Sequence, residues 1–187
     1  MRLSKPRLEP IPESQWSDAV KKTLREIKVG QGEVPNIFKT LAHHPDLMRR
    51  WLVFGNHVLF KSTLPARERE LIILRIGWLC EAEYEWAQHV RIGKQSGLTD
   101  DEIHRIKIGP TAKGWNERDT LLLRATDELH KDAFISDATW QGLSKYYNAQ
   151  QLMDIVFAVG QYNLVSMVLN TLGVQLDPGL TTTFENT

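Results

Sequence analysis

The run from Leu71 to Cys80 is almost continuously apolar, broken in charge only by Arg75, and is led in by Pro65 and then Arg67, Glu68, Arg69 and Glu70. Periodicity alone describes a buried strand as well as it describes a buried helix. Length and the charged lead-in decide for a helix of about four turns, enclosed by protein on most sides, with Pro65 opening it. A second helix is predicted from Glu81 to Gln95, where Gly97 ends it. The chain is therefore expected to build its centre from a helical hairpin.

Helix punctuation recurs along the rest of the sequence, and no alternating apolar pattern calls for strands. The predicted class is all-α. A first helix is expected over Glu13–Lys28, where Trp16, Ala19, Val20, Thr23, Leu24 and Ile27 share a face and Gly30 to Gly32 stop it. A short helix, Asn36–His43, follows Pro35, and Pro45 opens another that ends near Ser62. Thr99 with Glu102 spells a capping box for a short helix to about Lys107, and Asn148 with Gln151 spells a second one before the last, most apolar helix. Asn116 and Ser136 are read as the starts of two further helices, the second running through Trp140 and Leu143 to Tyr147. Gly109–Gly114 is the one loop that resembles a boundary between two helical portions. A single domain over 1–187 is expected, with an extended arm at 1–12 and a tail at 178–187 that has little to pack with and frays.

Composition narrows the function. Lys and Arg total 23 against 23 Asp and Glu, so no global field attracts a phosphate backbone or an anionic membrane. Neither nucleic acid nor membrane is an expected partner. The long uncharged stretch Ile155–Leu176 is interrupted by Gln161, Asn163, Ser166, Asn170 and Gln175, and reads as a helix buried in protein. Met1 to Pro12 lacks the apolar block of a signal peptide, which sets a cytosolic expectation. A single cysteine excludes an intrachain disulfide and any Cys-x-x-Cys chemistry. Zero net charge beside six tryptophans favours self-association. Phosphate-binding glycine loops and a Gly-x-Ser-x-Gly elbow are missing.

The hairpin places Glu70 on one helix and His89 on the next, while Glu85 precedes His89 by one helical turn on the same face. The three can meet as one polar cluster in an apolar helix pair, an environment that raises carboxylate pKa values and lets imidazole exchange protons near neutrality. From spacing alone the more frequent arrangement is plainer. Glu85 and His89 would form an exposed ion pair, and Glu70 would complement a helix dipole. His43, His44 and His57 do not complete a metal ligand set, because adjacent helical residues point apart. The polar residues Asn163, Ser166 and Asn170 recur on one face of the last helix, either lining a pocket or sealing a contact. Trp51, Trp78, Trp86, Trp115 and Trp140 read as core or interface residues.

Three segments carry a resemblance: Arg67-Glu-Arg-Glu-Leu-Ile-Ile-Leu-Arg75, the run Glu83-Tyr-Glu-Trp-Ala-Gln-His89, and Gly97-Leu-Thr-Asp-Asp-Glu-Ile103. Together they resemble the signature of the carboxymuconolactone decarboxylase family, which includes the AhpD-like alkylhydroperoxidases. The likeness is dense over 64–103, and Pro35-Asn-Ile-Phe and Ala42-His-His-Pro look like the flanks of its longer bacterial members. It implies an all-helical subunit with the active site on a central hairpin, assembled into homotrimers or hexamers.

In the peroxidase branch the hairpin holds a glutamate, a Cys-x-x-Cys pair and a histidine. Here Glu70 and His89 match the glutamate and the histidine, but the cysteine positions are Ala82 and Glu85, and Cys80 has no partner. The resemblance therefore implies a lyase or isomerase of the decarboxylase type, acting without a cofactor or metal on a small unsaturated carboxylic acid or lactone. His89 would donate or shuttle protons, Glu70 would orient it, and Glu85 would be a second acid or base. Tyr84, Gln88 and Trp86 are the expected substrate contacts, with Arg67, Arg69, Arg75 or Arg91 binding a carboxylate. The alternatives are a redox enzyme acting through Cys80, or a ligand-binding protein without catalysis.

Overall fold

The computed structural model describes residues 2–26 and 33–184. Among these the chain is all-α, as expected, and contains no strand. The helices are α1 (Asp18–Glu26), α2 (Asn36–Leu41), α3 (Pro45–Phe60), α4 (Ala66–Leu79), α5 (Glu83–Gln95), α6 (Asp100–Ile108), α7 (Glu117–Asp132), α8 (Asp137–Leu143) and α9 (Ala149–Leu172).

Helix α4 is the axis of the fold and packs on α5, α6, α7 and α9. Burial on every side explains why Leu71–Gly77 shows no amphipathic stripe. Three charged side chains are buried along it, and each is met by a different part of the structure. Glu68 accepts hydrogen bonds from Tyr147 and Arg118, Glu70 meets His89, and Arg75 clasps Asp127 while donating to the carbonyls of Ile106 and Lys107. Arg75 thereby ties α6, α7 and the Gly109 loop to the central helix. That loop divides no core, since residues on both sides of it share one apolar cluster.

Local signals place most boundaries. Both capping boxes form, and the Asn116 and Ser136 side chains cap α7 and α8. The first helix starts later than expected. Trp16 is extended with its indole donating to Ile11 O, and the Ser17 side chain accepts from Val20 N, so a short 3-10 turn, Glu13–Gln15, precedes α1. Ile27, Lys28 and the stop at Gly30–Gly32 lie outside the described residues. Helix α5 begins at Glu83 rather than Glu81, because Glu81 takes a left-handed backbone (φ 50°) to reverse the chain out of α4. By length and composition α9 is able to cross a membrane, but half of its most apolar window is buried against the rest of the protein.

The tail corrects an expectation. Instead of lacking partners, its described residues, up to Phe184, return across the hairpin, with the Phe184 ring centroid 4.6 Å from that of Trp78. Trp86 donates to Thr183 Oγ1 and Lys107 to Thr183 O.

Candidate active site

Helices α4 and α5 bring Glu70, His89 and Glu85 together. Glu70 Oε2 lies 2.6 Å from His89 Nδ1, and Glu85 Oε1 lies 2.9 Å from His89 Nε2. All three side chains are buried, Glu70 completely. The surface-pair reading is thereby excluded. Arg69 donates to the other oxygen of Glu70, and the Tyr162 ring stands edge-on to the imidazole at 4.9 Å.

Burial by itself pulls the His89 pKa down. The charges of Glu70 and Glu85, with hydrogen bonds to both, outweigh it and raise the value to about 10. The expectation of an imidazole exchanging protons near neutrality is corrected accordingly: the ring is an imidazolium at pH 7, because both of its nitrogens face carboxylates.

Beside this group lies a cavity of about 220 Å³. Its walls come from α2, α3, α5 and α9, together with Pro35 just before α2. His89 and Glu85 line it, while Glu70 stands behind His89, away from the opening. His89 and Glu85 thus share the cavity wall, with Glu70 on the other ring nitrogen of His89. Most of the remaining wall is apolar, from residues such as Trp51, Leu52, Leu59, Phe60 and Val165.

The expected substrate contacts divide. Tyr84 and Gln88 line the cavity, but both donate to Asp177 Oδ2, and Asp177 Oδ1 accepts from Asn36 N. Burial first, and then the neighbouring Asp177 charge, push the Tyr84 phenol well above its ordinary pKa. Trp86 does not line the cavity. It points to the opposite side of α5, packed on Trp78 and Phe184, because it stands about 100° round the helix from Glu85.

The four candidate arginines do not line the cavity. Arg67 is bound to Asp119 and Glu102, Arg75 to Asp127, Arg69 to Glu70, and Arg91 donates to Gln88. On α9 the cavity side carries Gln161, Tyr162 and Val165, whereas Asn163 and Asn170 turn to the α4–α5 corner and bind Cys80. Cys80 donates its thiol to Asn163 Oδ1, burial raises its pKa, and it does not line the cavity.

Sequence reasoning missed Asp177, Gln161, Tyr162 and the α3 wall. A weak signal existed for the α9 pair, since Gln161 interrupts an apolar helix; none existed for Asp177.

The helices take up an AhpD-like all-α fold. Residues 45–128, from the start of α3 into α7, match the model of the Carboxymuconolactone decarboxylase family. Among curated proteins none matches the sequence. A peroxidase-related protein of Ralstonia eutropha JMP134, described as an alkylhydroperoxidase AhpD core, superposes with a TM-score of 0.79 at 21% identity, over 90% of this chain and 91% of that one. A peroxidase-related protein of Silicibacter sp. TM1040 gives 0.76 at 18% identity, over 98% and 95%. A variant of the debrominase Bmp8 in complex with 2,3,4-tribromopyrrole gives 0.76 at 15% identity, over 94% of both chains. At these identities the likeness establishes the fold.

Proposed function

We propose that the protein is an enzyme that moves protons on a small unsaturated compound, as a lyase of the decarboxylase type or an isomerase, with no cofactor needed. The observation that carries this reading is the line Glu70–His89–Glu85, which begins in the core and ends at the cavity wall. A carboxylate backed by an imidazolium can take a proton from one carbon and return it to another, while Glu70 holds the imidazolium in place.

In an isomerisation, a Glu85 oxygen takes the proton beside a conjugated carbonyl, the C–H electron pair enters that carbonyl as an enolate, and the proton returns at the far end of the conjugated system. In a decarboxylation, the C–C electron pair moves into the carbonyl as carbon dioxide leaves. The proton of His89 then passes through Glu85 to carbon, and water restores it. Both need a hydrogen-bond donor at the developing enolate. Tyr162 supplies one, because burial, followed by the charges of Glu85 and Glu70, keeps its phenol protonated.

The lack of a cavity arginine favours a lactone or other neutral substrate over a free acid, and with it the isomerisation over the decarboxylation, which needs a substrate carboxylate. The redox alternative is weakened by the hydrogen-bonded Cys80 thiol, whose raised pKa disfavours the reactive thiolate. Exposed Val53, Phe60, Met153, Phe157 and Met167 on α3 and α9 support the homo-oligomer expectation.

The test is turnover of a panel of unsaturated lactones and their acids, read as double-bond migration and carbon dioxide release. Glu85→Gln is expected to lower kcat by about 10²–10⁴-fold. Full activity in both Glu85→Gln and His89→Gln would refute the assignment. A wild-type protein that binds these compounds without converting them would be a binding protein instead.

A further inference from the structure

Gln161 is buried in the wall of the cavity with its side-chain oxygen unpaired, at 4% exposure. An unpaired buried carbonyl oxygen is costly and correspondingly rare in native structures. Here the chain also makes room for it. Gly55 sits in the interior of α3, where glycine is unfavourable, and a Cβ there would stand 3.3 Å from Gln161 Nε2. The amide nitrogen packs over Gly55 and no described hydrogen bond holds the side chain, so its buried oxygen is free to swing to the cavity and accept from a ligand.

The charges around the cavity say what that ligand lacks. Arg69 balances Glu70 and the His89 imidazolium balances Glu85, so no positive charge is left over for a further carboxylate. No lysine or arginine lines the wall, and the carboxylate already present there belongs to Glu85. An anion entering this apolar space would lose its hydration and meet a like charge.

We infer that the cavity takes an uncharged, mainly apolar ligand bearing one hydroxyl or N–H group, and that this group donates to the Gln161 side-chain oxygen. The inference narrows the substrate class of the reaction proposed above and rests on that reading only for the location of the site. Gln161 is accordingly a specificity-determining residue. It selects for a donor group in compounds whose bulk is recognised by Trp51, Leu52, Leu59 and Val165.

The test is a calorimetric titration of the full chain with 4-methylphenol, toluene and 4-methylbenzoate, three probes built on the same tolyl ring. The phenol is expected to bind more tightly than toluene and at least about tenfold more tightly than the benzoate, the worth of roughly one hydrogen bond. Gln161→Leu is expected to weaken the phenol by about tenfold while changing toluene less than about twofold. Because the substitution removes an unpaired buried polar group, the variant should melt no lower than wild type, and Gln161→Met provides a second apolar replacement of similar length.

Benzoate binding as tightly as the phenol would overturn the inference. So would phenol affinity unchanged in both variants, or no binding of any probe. Turnover is not read in this titration, so the two readings fail separately. Phenol selectivity that depends on Gln161, in a protein that converts no unsaturated compound, supports the anchor and sinks the reaction.

Discussion

Glu70 Oε2 stands 2.6 Å from Nδ1 of His89, although the two residues come from different helices and both are buried. The proton between them gives stability a pH dependence. Free imidazole titrates near 6.5, and in the folded protein His89 is raised to about 10, after burial, which lowers it, is outweighed by the Glu70 and Glu85 charges. A raised folded pKa stabilises fully below about 6.5, and the contribution disappears as pH rises through about 10. Denaturant midpoints of the wild type should therefore fall across that interval more steeply than those of His89→Gln. Parallel curves for the two proteins would contradict the coupling.

Gly55 should separate stability from binding. Gly55→Ala raises helix propensity by about 0.5–1 kcal/mol, while the new methyl presses on the Gln161 amide and the Trp51 ring. Since no described hydrogen bond holds that amide, it can move away into the cavity. The expected outcome is a higher melting temperature with weaker binding of 4-methylphenol. Unchanged affinity would show that the amide does not occupy the binding space.

Gly109 is expected to tolerate no side chain. Its φ of 95° disfavours any L residue, and a Cβ would fall 2.5 Å from Arg75 Nη2, a group pinned by Asp127 and two carbonyls. Gly109→Ala should cost about 1–3 kcal/mol from backbone strain alone, measurable by urea unfolding. A neutral result would mean that Arg75 is less firmly held than its contacts indicate.

Phe184 reports on the far side of α5. Phe184→Ala should destabilise by about 1–3 kcal/mol, less than a fully enclosed phenylalanine would, and should shift tryptophan emission to the red as Trp78 and Trp86 gain water. Ligand affinity should not change, because these rings do not line the cavity. A parallel loss of affinity would connect the two faces of the helix.

The hairpin was legible because its signals are local. Pro65, the charged lead-in and the apolar run specify α4, and the spacing of Glu85 and His89 specifies a shared face. Their meeting with Glu70 was legible only as one of two options, since spacing within a helix does not tell buried from exposed. Trp86 was grouped with the cavity residues, although the period that places Glu85, Gln88, His89 and Ile92 on the cavity wall leaves it off that face. Asp177 and the return of Phe184 were beyond reach. Both act through contacts with residues distant in the chain, and neither carries a turn, cap or period that would announce them.

The three buried charges of α4 bear on how uniquely the chain folds. An apolar rod surrounded by apolar helices has little to stop it sliding lengthwise by one turn, since leucine and isoleucine pack nearly as well in neighbouring positions. Glu68, Glu70 and Arg75 act as teeth in separate slots: a slip of one turn would strand all three in a medium that cannot solvate them. The same keying that fixes the rod also fixes where a proton can stand beside the cavity.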